Sequence, residues 1–435
     1  MSASATKLGA IALLALLYLA VACAAAAKTP LVFATRGGAF DAAGVELRKA
    51  LADALIAAFE RENPDIDVAW LRVSDDDYAD KIVTLAAAGQ LPDVFEAWGN
   101  MGTVWAERGL LLDLAPYVRR DLSAAELRDI FANVWEAPVV RVGPNAGMRY
   151  AVPRYLNVVI FYYNRTLFDN AGLIHLDDLD APGDWTWERL VEYGKKLTRK
   201  APDGTFVQYA LRTDRGVGRS AAWAWANGGG IFNYPEDPTE FTLDAPASIE
   251  GYEFLYDLRW QHEIWPPNAP GFDQGQTAMD NTIATDSLAS MTSRIGDAFE
   301  WDVAPRPMGR AERGTRTSLD LYVVSRSTAH PEAAWRFIRF LISPQAQLLH
   351  AKIQGMVPIR KSLYDEFVAL NREKSLAAFF EGAIGARVDP TAVMLHADEA
   401  AALIDQALEA SIERNEKPVK QAIEEIAPAI RSLYR

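Results

Sequence analysis

The side chains most able to do chemistry are spaced in ways that exclude several kinds of it. The five histidines are His175, His262, His330, His350 and His396, and no two stand at the i, i+4 separation of a His-Glu-x-x-His zinc helix. The single cysteine, Cys23, rules out an intramolecular disulfide and any all-thiolate zinc or iron–sulfur centre within one chain. There is no Gly-x-Ser-x-Gly elbow and no Gly-x-x-x-x-Gly-Lys-Ser/Thr phosphate loop. Ser74-Asp75-Asp76-Asp77 sets three carboxylates side by side without the Gly or distal Glu of a calcium loop. It reads as a helix N-cap with an acidic first turn facing the positive helix end. Asn227-Gly228-Gly229-Gly230 lacks dinucleotide-loop spacing and reads as a turn that lets backbones approach closely. Paired carboxylates for glycoside hydrolysis stay open, because 58 acidic residues offer many pairs whose separation only a fold can set. No metal and no cofactor is called for, and beside that open pairing the chemistry left is recognition.

The elements that must hold such residues alternate along the chain. Residues 31–35 form an apolar run ending in Arg36-Gly37-Gly38, a buried strand delivering a turn. Leu47, Leu51, Leu55 and Phe59 then recur every four positions along one helical face, which Asn63-Pro64 ends. Residues 66–73 read as the next strand, and a helix through Tyr78, Ile82 and Leu85 runs to Gly89. Residues 91–98 return as a strand, and Trp98-Gly99-Asn100 sits where it ends. In open α/β sheets that is the ligand edge. Trp185 and Trp187 start a helix whose stripe continues through Leu190, Val191 and Leu197, so they are packing residues; Thr186 can cap it, but Arg189 replaces the acidic partner of a capping box.

A chain of 435 residues, half of them apolar, supports roughly two to three domains. The net charge of −14 speaks against nucleic-acid phosphates and anionic lipid as partners. The amino terminus reads as an export signal over residues 1–22, with Lys7 before an apolar run too short for a comfortable membrane span. Leu19-Ala20-Val21-Ala22-Cys23 resembles a lipobox in which Cys23 is lipidated, and Ala25-Ala26-Ala27 offers an ordinary cleavage site instead.

Taken in order, several strings carry a resemblance. They are Asn63-Pro64-Asp65-Ile66, Tyr78-Ala79-Asp80-Lys81, Ala87-Ala88-Gly89-Gln90-Leu91-Pro92-Asp93-Val94-Phe95, Tyr150-Ala151-Val152-Pro153, Tyr162-Tyr163-Asn164 and Leu167-Phe168-Asp169-Asn170-Ala171-Gly172. Asn227-Gly228-Gly229, Ala278-Met279, Trp301-Asp302-Val303-Ala304-Pro305, His330-Pro331-Glu332-Ala333-Ala334-Trp335 and Gly355-Met356-Val357-Pro358 continue them. Together they resemble the extracellular solute-binding proteins of ABC importers, in the sugar-binding group that includes maltose-binding protein.

The resemblance implies a two-lobed α/β fold of the type II periplasmic-binding-protein class. One lobe would hold residues 28–152 and 322–357, the other 153–321 and 358–435, with hinge segments near 151–157, 318–325 and 355–359. It implies a monomeric, non-catalytic receptor, exported to the periplasm or cell surface and, on the lipobox reading, anchored through Cys23. This receptor would close on a mono- or oligosaccharide and deliver it to membrane permease subunits and their ATPase. Sugars present apolar ring faces to aromatic planes and hydroxyl rims to paired donors and acceptors. The implied ligand residues are Trp98 with Asn100, Arg154 with Tyr155, Trp223 and Trp225, the hydroxyl-bonding Asn227, Asn281, Thr282 and Asp320, and Arg36 beyond the first strand. Two alternatives remain. The same fold could bind a phosphorylated polyol or other small polar solute if Arg36, Arg154 and Arg219 converge free of carboxylates, and a secreted polysaccharide-active enzyme is the second.

Overall fold

The computed structural model of the protein describes residues 28–38, 44–180, 183–234, 237–370, 372, 374–392 and 396–434. The expected signal segment and Cys23 lie outside them.

Strand β1 (Thr29–Arg36) buries Leu31, Phe33 and Ala34 and pairs in parallel with β2 (Ile66–Val73) along its whole length. It also pairs in parallel with β3 (Val94–Trp98). Helix α1 (Leu47–Glu62) connects the first two strands and α2 (Tyr78–Ala87) the next two, as parallel pairing demands. The apolar spacing read from the sequence explains α1, since Leu51, Leu55, Ala58 and Phe59 are its buried face. At α2 the acidic run departs from expectation: Asp77 occupies the N-cap without a side-chain hydrogen bond, and Asp75 faces Arg36 and Arg48. Helices α3 (Met101–Glu107), α4 (Ala115–Asp121) and α5 (Ala132–Glu136) follow. Then β4 (Val152–Val159), buried at all eight positions, leaves the first lobe.

The second lobe is built on β5 (Phe161–Asn164), β6 (Arg199–Lys200) and β7 (Phe206–Arg212), a small hairpin of β8 (Phe232–Asn233) and β9 (Asp237–Phe241), then β10 (Thr277–Asp280) and β11 (Trp301–Ala304). Its helices include α6 (Trp187–Leu197), α7 (Val217–Ala226) and α8 (Pro246–Trp260). As expected, Trp185 and Trp187 are buried at the start of α6, and the Thr186 side chain accepts from the Arg189 amide. The chain returns through β12 (Arg316–Val324) to α9 (Pro331–Leu341) and α10 (Pro344–Gln354), which pack on α1 and β1. It finishes with α11 (Ala377–Gly385), β13 (Arg387–Val388), α12 (Ala397–Leu408) and α13 (Val419–Leu433).

The first sheet has the order β13-β12-β3-β1-β2, with β4 on the other edge of β12; the second has the order β11-β5-β10-β7-β6. β4 and β12 are thus adjacent antiparallel straps running between the lobes, and an irregularity interrupts their pairing between Asp320 and Leu321. The third segment lies beside them, Val357 bridging to Leu156. The boundary expected at 152/153 therefore falls inside a strand that stays paired with β12 up to Val159. Among the described residues no helix is long and apolar enough to cross a membrane.

Candidate functional site: the cleft between the lobes

Parallel strands deliver their carboxyl ends to one edge, and here the ends of β1 and β3 meet the straps. Register sets Trp98 opposite Asp320, and Asp320 opposite Tyr155, so three side chains from neighbouring strands are brought together. Arg36, the last residue of β1, lies over the Trp98 ring at 4.0 Å. Its guanidinium is 3.4 Å from Glu96, 3.5 Å from Asp320 and 3.7 Å from Asp75. Burial alone would lower the Arg36 pKa; Glu96, Tyr155 and Asp320 more than offset this and raise it above the usual guanidinium value. The Tyr155 hydroxyl donates to Asp320 Oδ1 at 3.2 Å, and Ser318 Oγ donates to Oδ2 at 2.9 Å. Beneath them Tyr78 pins β3, its hydroxyl donating to the Glu96 carbonyl and accepting from the Glu96 amide.

The second sheet contributes its own edge. Arg212, ending β7, donates to Asp280 at 3.1 Å and to Thr282 Oγ at 2.5 Å. Burial raises the Asp280 carboxyl above its usual value while Arg212 and Thr282 pull the other way. With its amide oriented to satisfy both ends, Asn281 donates to Thr213 Oγ at 2.8 Å and accepts from Arg306 at 3.1 Å. Arg306 is buried over Trp223, 4.8 Å from that ring, and burial pushes its pKa down to about 9. At the start of α7, Asp214 accepts from the Gly216 amide and pairs with Arg219 at 3.0 Å.

The two edges converge through Asp389, which follows β13. The Gly99 and Asp389 amides donate to the Leu319 and Thr317 carbonyls of β12, so the ends of β3 and β13 face each other across Ser318. Asp389 accepts from Arg316 at 2.9 Å and lies so close to the first turn of α7 that a Cβ on Gly218 would stand 2.5 Å from its Oδ2. Asn100, at the N-cap of α3, reaches across the lobes and donates to Asp398 of α12 at 3.0 Å.

Of the residues implied by the sequence, Arg36, Trp98, Tyr155 and Asp320 form one cluster, Asn100 stands beside it, and Asn281 and Thr282 lie on the opposing edge. Four others are placed elsewhere. Arg154 is buried, 2.8 Å from Glu96, its guanidinium between the Tyr155 and Tyr322 rings, so it serves the sheet rather than the cleft surface. Trp223, 1% exposed, is core beside Trp187 and Phe254. Trp225 and Asn227 stand at the far end of α7, about 15 Å from its first turn at the rise of a ten-residue helix. Asn227 spends its amide on the Ala247 carbonyl and Glu250. The physical reason is that a strand ending at the cleft presents the amino end of the following helix to it, not the carboxyl end.

Sequence reasoning missed Glu96, Ser318, Arg316, Asp389, Gly218 and Asp398. A charged residue inside the apolar strand Val94–Trp98 was a usable signal for Glu96; for Asp389 and Asp398, contributed by late segments, there was none. The metal-like group His175, Asp177 and Asp178 is engaged by protein partners, Arg165 and Asp169 on the histidine, Tyr163 and Ser375 on Asp177.

Comparison with known proteins agrees with this architecture. Residues 43–348, well over half of the chain, match the family model of bacterial extracellular solute-binding proteins. A putative ABC transporter periplasmic-binding protein of Escherichia coli strain K12 is 25% identical over 305 residues, 68% of this chain and 65% of that relative. The mannitol-binding protein of Pseudomonas aeruginosa is 28% identical over 355 residues, covering 72% of this chain and 71% of that one. The solved structure of the sugar-binding protein MalE from Xanthomonas citri superposes with a TM-score of 0.76 at 21% identity, covering 93% of this chain and 97% of that one, which establishes the shared two-lobed fold. The chain belongs to the bacterial extracellular solute-binding proteins.

Proposed function

We propose that the protein is the substrate-binding component of an ABC importer, capturing a neutral saccharide or polyol between its lobes and releasing it unaltered to the permease. One observation carries the ligand class: four arginines at the cleft edges each hold a carboxylate. Arg36 has Glu96 and Asp320, Arg212 has Asp280, Arg219 has Asp214 and Arg316 has Asp389. An anionic ligand needs at least two arginines free of such partners; Arg306 has no carboxylate partner among the described residues, but it is one cation sealed beneath Asn281. A guanidinium beside a carboxylate instead offers a fixed donor next to a fixed acceptor, which suits neighbouring hydroxyls on one ring. Arg36, Trp98, Tyr155, Asn281, Thr282 and Asp320 are the proposed ligand contacts, and Asn100 is proposed to act on the cleft through its bond to Asp398. The names of the mannitol-binding and sugar-binding relatives support the same class.

Closure would clamp the ligand between the two edges, and the permease would sense the lobe surfaces that flank the cleft. Membrane permease subunits with an ATPase pair are the proposed partners, and a monomer tethered through Cys23 is the proposed exported form. The test is thermal stabilisation of the purified protein across neutral sugars, sugar phosphates and amino acids, since a specific ligand stabilises by RT ln(1 + [L]/Kd). Neutral sugars should raise the melting temperature and be recovered intact. Stabilisation by anions alone, or a sugar recovered cleaved, would overturn the proposal.

A further inference from the structure

Trp225 and the glycine turn after it stand out in the sequence, yet the cleft does not use them. They line a second cavity of about 610 Å³, within the roughly 300–1,000 Å³ usual for small-molecule sites. Its walls come from both lobes: Asn133, Glu136 and Arg141 on one side, Trp225 and Tyr234 on the other, with Arg387 of β13 between them. None of the cleft residues named above lines it. Helix α7 separates the two spaces, its first turn meeting Asp389 in the cleft and its last turn ending at this cavity.

The lining is aromatic and polar with its charges largely matched. Arg387 stands 5.9 Å from the Trp225 ring and is paired with Glu312 at 3.0 Å. Glu136 lies 3.7 Å from Arg149, while Arg141 donates to the Glu136 carbonyl at 2.7 Å and its charge acts on the Tyr234 phenol of the other lobe. A strongly charged ligand would have to break one of these ion pairs or rest on Arg141 alone, and a purely apolar one would strip water from Glu136 and Arg141 without replacing it. A small uncharged polyhydroxylated molecule satisfies both demands, its C–H surface against the Trp225 and Phe232 wall and its hydroxyls on the Glu136 carboxylate, the Arg141 guanidinium and the Tyr234 phenol. We infer that this cavity is a second carbohydrate site, sized for a mono- or disaccharide and independent of what the cleft holds.

The test is indole N–H NMR of the isotopically labelled protein titrated with D-glucose, D-mannitol and maltose. The Trp225 signal is assigned by its loss in Trp225→Phe. With at least one of these probes the Trp225 signal should shift, and the shift should persist in Asp320→Ala, where the cleft is disabled. Tyr234→Ala should weaken that titration roughly tenfold, the effect of about one lost contact to a fixed partner, and the filling variant Ala247→Trp should abolish it. A Trp225 signal unmoved by all three probes, or a shift that disappears in Asp320→Ala and so reports only cleft closure, would overturn the inference. A shift in Asp320→Ala with no cleft binding in the wild type would sink the cleft reading alone.

Discussion

Two tryptophans named on equal terms by the sequence have opposite environments, and their truncation separates binding from packing. Trp98 is half-buried at a strand end, with Arg36 over its ring and Tyr78 inclined against it at 5.1 Å. Trp98→Ala should weaken ligand binding by roughly ten- to a hundredfold, through the lost contact and the loosened Arg36 guanidinium, each worth about 1 kcal/mol or more. Its unfolding free energy should fall by less than that of a core truncation. Trp223→Ala empties a fully enclosed site and should cost about 3–5 kcal/mol in denaturant unfolding. If instead Trp98→Ala proves the more destabilising and leaves affinity alone, the ring belongs to the core and the cluster around it is structural. Trp98 was legible because a strand end followed by Gly-Asn marks an exposed edge. Arg154 was not, because every side chain on β4 is enclosed and the alternation that would sort Arg154 from Tyr155 is absent.

Between elements, glycine positions distinguish a packing contact from a contact that serves the cleft. A Cβ on Gly251 would stand 2.6 Å from the Trp223 carbonyl and 2.7 Å from Ala224 Cα, so only backbone displacement of α8 from α7 could accommodate it. Gly251→Ala should therefore cost about 1–3 kcal/mol or more in stability. At Gly218 the obstacle is the Asp389 side chain, held by Arg316 and Thr391, and not backbone; Gly218→Ala should cost less stability than Gly251→Ala and weaken ligand binding by displacing that carboxylate, as calorimetry would show. Equal destabilisation by both variants would remove Asp389 from the site. A third contact, α4 on α9, responds to pH. Hydrogen bonds from Arg120 and from the Trp335 indole at 2.6 Å hold the Asp121 carboxyl down at about 2, against its ordinary 3.8. Because the folded state lowers this pKa, its contribution is complete above the ordinary value and is lost as pH falls toward about 2. The gap in melting temperature between wild type and Asp121→Asn should be widest near neutrality and close below pH 4; a gap that stays constant to pH 2 would refute it. Helices and strands themselves were readable from period and punctuation: β2 matches residues 66–73, and α1 differs from its apolar stripe only at its ends. What periodicity could not supply was which end of α7 faces the ligand edge, because that follows from the strand before it and not from the helix's own pattern.

At the scale of the whole molecule, the sequence fails for a different reason: the relation between lobes is made by residues far apart in the chain. Asn100 and Asp398 are 298 positions apart, yet their hydrogen bond links the two walls of the cleft. Because the bond joins one lobe to the other, it strengthens only the closed arrangement, and its worth enters as a shift between open and closed populations. An exposed hydrogen bond of this kind contributes about 0.5–1.5 kcal/mol, so its loss should lower affinity by roughly two- to twelvefold if the ligand is held only in the closed form. The ligand meets the open form first, so association should be almost unaffected and the change should fall on dissociation. Stopped-flow measurements on Asn100→Ala, Asp398→Ala and the double variant test this directly. Each single change should speed dissociation by the same factor, and the double variant should be no faster than either, since both remove one bond. Additive effects, or a change confined to association, would show that these side chains act separately and that closure is governed by the straps alone.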